Sequence, residues 1–241
     1  IGETQLKFLF STVSHTIIQS RRLSETFKFL IAWFLLSDGV NTVFYIALFF
    51  AKKEIGMNNT EVRIRTLITA ALIIPVGAIV GVYAFNGLQR LFHISTKTMI
   101  LIVGAGYCLL PIWGLVGFLT EDFGLKSKAE IYAASALDGL LLGAVQSFCR
   151  VLFSELLPAG HENEFFALYE ITDKGSSWLG PLIVGGINSA GHTLRVGFWW
   201  VFATLVVPVV LIAFVNVEKG KREALQFSVA ERKKRQVKWG K

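Results

Sequence analysis

What this chain has little of narrows its chemistry first. Only two of its 241 residues are cysteine. Cys108 lies in the middle of one apolar run and Cys149 at the end of another. Their expected depths differ by several helical turns, so no disulfide is expected between them. The four histidines lie mainly in loops and show no metal-ligand spacing. An HExxH pair, a P-loop and a nucleophile elbow are all missing, so the sequence offers no case for an enzyme or a bound cofactor. No signal-peptide pattern opens the chain, and its first residue is Ile1 rather than methionine. A piece of a longer protein is therefore expected.

Charge is also scarce: 17% of residues are charged, against 53% hydrophobic, with 20 phenylalanines and a mean hydropathy of +0.56. Soluble domains of this size sit lower, and here the apolar residues come in long runs rather than alternating patterns. The class is a polytopic membrane protein made of helices. The net charge of +7 has the sign that a nucleic-acid partner would require. The basic residues, however, fall between the runs and in the tail, so membrane topology explains them and no nucleic-acid partner is expected.

Six spans are expected. Residues 1–26 read as an amphipathic lead-in along a membrane surface, with Leu6, Leu9, Phe10, Val13 and Ile17 at helical spacing. Span one is Phe27 to Ala51, span two Ile64 to Ala84, and span three Thr98 to Leu119. Span four is Ala129 to Cys149, span five Phe165 to Gly186, and span six Arg195 to Val217. The membrane domain is thus 27–217, and 218–241 is a basic tail expected to be disordered. Span two contains Pro75 and the GxxxG pair Gly77 and Gly81, and span four a second pair at Gly139 and Gly143. Such pairs let helix backbones approach closely. An even span count puts both ends on one side, and the Lys and Arg residues gather there, chiefly in the tail. The positive-inside rule makes that side the cytoplasm. The sequon Asn58-Asn59-Thr60 then falls on the far side, which makes Asn58 a candidate glycosylation site.

Charges inside spans are costly, about 3 kcal/mol each on insertion scales, so they mark protein interior or a water-filled path. Asp38, Asn41, Thr42 and Tyr45 follow at i, i+3, i+4 and i+7 on one face of span one. Asp138 lies at a similar depth in span four, and both aspartates are followed by glycine. That match suggests an inverted 3+3 repeat with its binding site at the midplane, the two carboxylates facing one cavity. The same stripe equally serves to bind helices together by hydrogen bonds. Span five carries Glu170, Asp173 and Lys174, and Glu170 and Lys174 have the spacing of a helical ion pair. With Arg150 they form a candidate gating or structural charge network near the cytoplasmic mouth.

The run from Arg150 to Ile187, RVLFSELLPAGHENEFFALYEITDKGSSWLGPLIVGGI, resembles the autophagy-related protein 22 family of vacuolar amino-acid effluxers, a branch of the major facilitator superfamily. FLLSDGVNTVFY resembles the start of the second half in that family. The turn from Gly81 to Arg90 is similar to the superfamily's cytoplasmic loop motif, with Asn86 where that motif usually has an aspartate. The resemblance covers nearly all of 27–217. It implies one half of a twelve-span transporter in the vacuole membrane, with an N-terminal six-helix half as its partner. It further implies export of neutral amino acids such as leucine, isoleucine and tyrosine, and makes the spans of Asp38, Asn41, Tyr45 and Asp138 cavity-lining. The competing reading is a non-transporting membrane scaffold of autophagy, whose intramembrane charges serve packing.

Overall fold

The computed structural model describes residues 23–53, 60–117, 119, 124–125, 127–189 and 194–239, and those residues are helical almost throughout. The helices are α1 (Ser24–Lys53), α2 (Thr60–Phe92), α3 (Thr96–Tyr107), α4 (Leu109–Val116), α5 (Lys128–Glu155), α6 (Glu162–Ser176), α7 (Leu179–Ser189), α8 (Leu194–Ala213) and α9 (Val217–Trp239). Among the described residues, Ile64–Phe92, Thr96–Val116 and Lys128–Glu155 are long and apolar enough to cross a membrane. A fourth crossing arises if the bent pair Gly197–Ala213 and Val217–Lys233 is counted as one.

Two apolar runs that read as single spans are broken, and the same chemistry breaks both. Proline has no N–H to give the carbonyl four residues back, and its ring crowds that carbonyl. Pro111 lies four residues after Tyr107, where α3 ends, and Pro181 four residues after Ser177, just beyond the end of α6. Each proline is the third residue of the new helix, in the first turn where its missing N–H costs nothing. Pro75 and Pro208, by contrast, lie inside continuous helices.

The tightest packing joins α2 to α5. Their two GxxxG pairs face each other: a Cβ on Gly81 would overlap the Leu140 carbonyl oxygen, and one on Gly143 that of Ala78. A Cβ on Gly139 would overlap the Ile74 carbonyl oxygen, and one on Gly77 would come within 3.2 Å of that of Ala136. The outer face of α2 stays open, with Ile64, Ile68, Leu72, Val76, Ile79 and Tyr83 exposed. A second core lies among α1, α5 and α6. Trp33 stacks on Tyr169 with ring centroids 4.9 Å apart, and Phe153 lies 5.0 Å from the same tyrosine. A capping box, Ser127 with Glu130, starts α5. Glu130 Oε1 also accepts from Gly124 N–H at 2.9 Å and Trp113 Nε1–H at 3.3 Å, tying the preceding turn and α4 to that helix end.

Several expected boundaries move. α2 continues past Ala84, through the turn expected from Gly81 to Arg90, and ends at Phe92; within it Asn86 Nδ2 donates to the Val82 carbonyl at 2.8 Å. The tail expected to be disordered is helix α9, which leaves α8 at 67°. Its Gly220, Ala224 and Ser228, spaced by four, are buried, and Gly220 packs on Leu156 and Glu25. The lead-in up to residue 22, the sequon residue Asn58 and most of the stretch 120–128 between spans three and four lie outside the described residues.

Candidate functional site

The polar stripe of α1 lies against the break between α6 and α7. Ser37 Oγ donates to the Asp173 carboxylate and lies 3.2 Å from the Asp173 backbone oxygen, just before the break. The next residue, Asp38, accepts the Gly180 N–H on its Oδ1 at 3.0 Å, from the first turn of α7. The first N–H groups of a helix have no partner within it and carry partial positive charge, so a carboxylate is a favoured partner there. Thr42 Oγ1 donates to the Asp38 carbonyl at 2.6 Å, and Gly180 lies so close to Thr42 that a Cβ would collide with it. Asp38, Thr42, Asp173 and Gly180 are all buried. Breaking the helix frees the N–H that Asp38 receives, and glycine at 180 lets α1 come near enough to deliver the carboxylate.

The other stripe residues take different places. Asn41 is half-buried and its Nδ2 lies 3.4 Å from Ser37 Oγ, while Tyr45 is exposed. Asp138 is buried on α5, where its backbone carbonyl accepts from Tyr107 Oη at 3.2 Å. Its Oδ1 has no hydrogen-bond partner among the described residues. The two aspartates, matched by depth in the sequence, thus differ in chemistry. One is satisfied by a helix terminus and the other keeps an unused acceptor oxygen.

The charge network is wired differently from its spacing. Glu170 pairs with Arg150 across the helix interface at 2.7 Å, and Lys174 pairs with its neighbour Asp173 at 2.8 Å. The expected Glu170–Lys174 pair is replaced by these two. Arg150 ends up beside Glu170 because α5 runs past α6, and a partner supplied by another helix cannot be read from i, i+4 spacing.

Another polar group went unread in the sequence. Glu25, in the first turn of α1 and only 1% exposed, accepts from Asn216 N–H at 2.9 Å, Lys28 Nζ at 2.9 Å and Lys219 Nζ at 3.1 Å. Burial pushes its carboxyl up, but these hydrogen bonds outweigh it and hold the pKa at about 2. Lys97 Nζ caps the end of α8 through the Ala213 and Val215 carbonyls at 2.7 and 2.8 Å. His161 Nε2 lies 2.7 Å from Glu231 Oε2 on α9. An open cavity of about 570 Å³ at the α8–α9 elbow is lined by Lys97, Glu155, Phe214, Asn216, Glu218 and Lys221, and touches neither Asp38 nor Asp138. Among the described residues no cluster of His, Cys, Asp or Glu is placed to hold a metal ion.

Comparison with known proteins finds relatives by sequence. The family profile described as "Vacuole effluxer Atg22 like" matches residues 2–225. Autophagy-related protein 22 of Gibberella zeae is 35% identical over 232 residues, covering 94% of this chain and 35% of the relative. The proteins of that name from Candida glabrata and Kluyveromyces lactis are 33% and 35% identical. Those matches cover 95% and 92% of this chain but 41% and 44% of the relatives. The chain therefore spans less than half the length of these curated relatives. No solved structure matches it.

Proposed function

This chain belongs to the family of Atg22-like vacuole effluxers, and on that premise we propose that it forms the C-terminal six-helix half of a secondary transporter in the vacuole membrane. Six crossings arise when α3 with α4 and α6 with α7 each count as one broken span, beside α1, α2, α5 and α8. Both ends of the segment then face the cytosol, and the spans fall into two groups of three. The cargo is a neutral amino acid of the leucine, isoleucine and tyrosine class, moved from vacuole to cytosol after autophagic breakdown.

The observation that carries this reading is the broken helix clamped by an intramembrane carboxylate, Asp38 on the N-terminus of α7. Discontinuous membrane helices recur where transporters bind and release cargo, since their exposed backbone groups need a polar partner that can exchange. A passive anchor has no use for one. The half-open face of α1, with Asn41 and Tyr45, meets the N-terminal half across the transport path. Asp138, whose Oδ1 is unused, is the carboxylate free to meet a cargo ammonium group or a proton. Asp38 instead holds the break, and Arg150, Glu170, Asp173 and Lys174 brace the same region.

Leucine efflux from vesicles containing the full-length transporter tests this. Asp138→Asn is expected to slow efflux at least tenfold while the protein stays folded and in place. Unchanged efflux in that variant would remove Asp138 from the path. No efflux of any neutral amino acid by the unaltered protein would favour the alternative, a membrane scaffold of autophagy, which the packing use of Asp38 and Ser37 supports.

A further inference from the structure

The helix α9 has two faces, and only one of them is occupied. Gly220, Ala224, Ser228 and Glu231 turn toward the bundle, where Lys219 reaches Glu25, Lys221 reaches Glu155 at 2.9 Å and Glu231 reaches His161. Phe227 meets the His161 ring edge-on at 5.8 Å. The outward face carries Leu225, 66% exposed, and Val229, 45% exposed, one turn apart. Arg222 precedes this pair by three residues, and Arg232 and Lys233 follow it by three and four. All three basic side chains are exposed and make no ion pair among the described residues. The helix leaves α8 at 67°, nearer to the plane of a membrane that α8 crosses than to its normal.

We propose that this outward face of α9 docks on an acidic lipid surface, with Leu225 and Val229 at the level of the acyl boundary and Arg222, Arg232 and Lys233 on lipid phosphates. The inference rests on the membrane reading above. An apolar pair flanked at both ends by unpaired cations on one helix face fits an interface between hydrocarbon and anionic headgroups. Basic residues next to such a surface are attracted individually and screened by salt. The inner face already fixes α9 as a helix, so binding orders no new backbone.

The test uses the full-length transporter in nanodiscs of phosphatidylcholine, with or without phosphatidylserine. A polarity-sensitive fluorophore is placed in turn at Leu225→Cys, Val229→Cys, Gln226→Cys, Ala230→Cys and, as a mid-span control, Ile102→Cys, in an otherwise cysteine-free background. Labels at 225 and 229 are expected to shift to the blue and to lose aqueous quenching several-fold only with phosphatidylserine. Labels at 226 and 230 should stay wet. High salt, or the combined Arg222→Glu, Arg232→Glu and Lys233→Glu variant, should reverse the shift. Hydrogen exchange across 221–233 in the unlabelled protein, slower with phosphatidylserine, checks the result without any substitution. Equal quenching at 225 and 229 in both lipids, with residue 102 dry, would overturn this inference alone. Protection that persists in detergent would also overturn it, by showing that another protein segment covers the face. A wet label at residue 102 would overturn the membrane reading, and this inference with it.

Discussion

Two seams hold the bundle together by opposite means. Between α2 and α5 the helices meet backbone to backbone, through four glycines whose missing side chains let carbonyl oxygens lie where a Cβ would be. Between α1 and the α6–α7 break they meet through the hydrogen bonds of Ser37 to Asp173 and of Gly180 N–H to Asp38, with Thr42 packed on Gly180. Both seams exclude added volume, since a Cβ on Gly180 would collide with Thr42 as well, but the first has little use for charge. The second is polar, and its two cross-helix bonds join side chains to groups that water can also satisfy. The transport proposed above would use both, one seam that stays fixed while the other changes.

The sharpest break of this contrast is a single methyl group on the glycine seam. Gly143→Ala and Gly81→Ala force α2 and α5 apart, and overpacking of this kind costs about 1–3 kcal/mol or more. We expect each to lower the thermal midpoint of the purified protein strongly and to reduce its yield. Gly87→Ala, where nothing lies within 4 Å of an added Cβ, serves as the control. It should be neutral or stabilising by about 0.5–1 kcal/mol, as for any Gly to Ala change inside a helix. A Gly143→Ala protein as stable as the Gly87→Ala one would mean the seam is loose.

On the polar seam, the acceptor at residue 38 matters more than its charge for assembly. Asp38→Ala leaves the Gly180 N–H buried without a partner, which costs about 1–3 kcal/mol. Asp38→Asn keeps an oxygen there and should recover most of that loss. Thermal unfolding of both variants in one lipid mixture checks the order. Equal losses would show that the carboxylate charge, rather than the hydrogen bond, holds α7.

How much of this was readable beforehand follows from where each partner comes from. The glycine seam was legible, because Gly77-x-x-x-Gly81 and Gly139-x-x-x-Gly143 carry their own spacing; only their meeting each other needed the structure. The breaks were not, since an apolar run gives no sign of stopping at Pro111 or Pro181 while Pro75 and Pro208 leave their helices intact. Span five stands out by its charges, yet the partner of Asp38 is a backbone N–H at Gly180, which has no side chain to mark it. The order in α9 was hidden by its charge. Gly220, Ala224 and Ser228 at every fourth position were the signal for a buried face.

The charge network sharpens the contrast at lower energy. In double-mutant cycles Arg150→Ala with Glu170→Ala should show coupling of at most about 1 kcal/mol, since both side chains are about half exposed. Glu170→Ala with Lys174→Ala should be additive, because those two do not pair. Coupling confined to the second cycle would reverse the wiring described above.

The smallest expected effect concerns neither seam but the clasp that holds α9 beside them, and its pH dependence has a definite sign. Glu25 sits at about 2, below its ordinary 4.5, because Asn216 N–H, Lys28 and Lys219 favour the charged form against the burial that opposes it. A carboxyl whose pKa is depressed by folding stabilises the folded state fully above its unfolded pKa. That contribution fades as pH falls from 4.5 and is gone below about 2. Around neutral pH the clasp should therefore be insensitive to acid. Protection of α9 amides from hydrogen exchange, corrected for the intrinsic rate, should be level between about pH 7 and 5 as far as Glu25 is concerned. His161 with Glu231 and Glu164, and Glu223 beside Lys219, lie in the same region of the protein, so the readout is the difference between unaltered protein and Glu25→Gln. That difference should be constant near neutrality and shrink only below 4.5, as the unaltered protein loses what the glutamine variant never had. A difference that closes already between pH 7 and 5 would mean that Glu25 is protonated far more easily than its three donors allow, and that α9 is held from elsewhere.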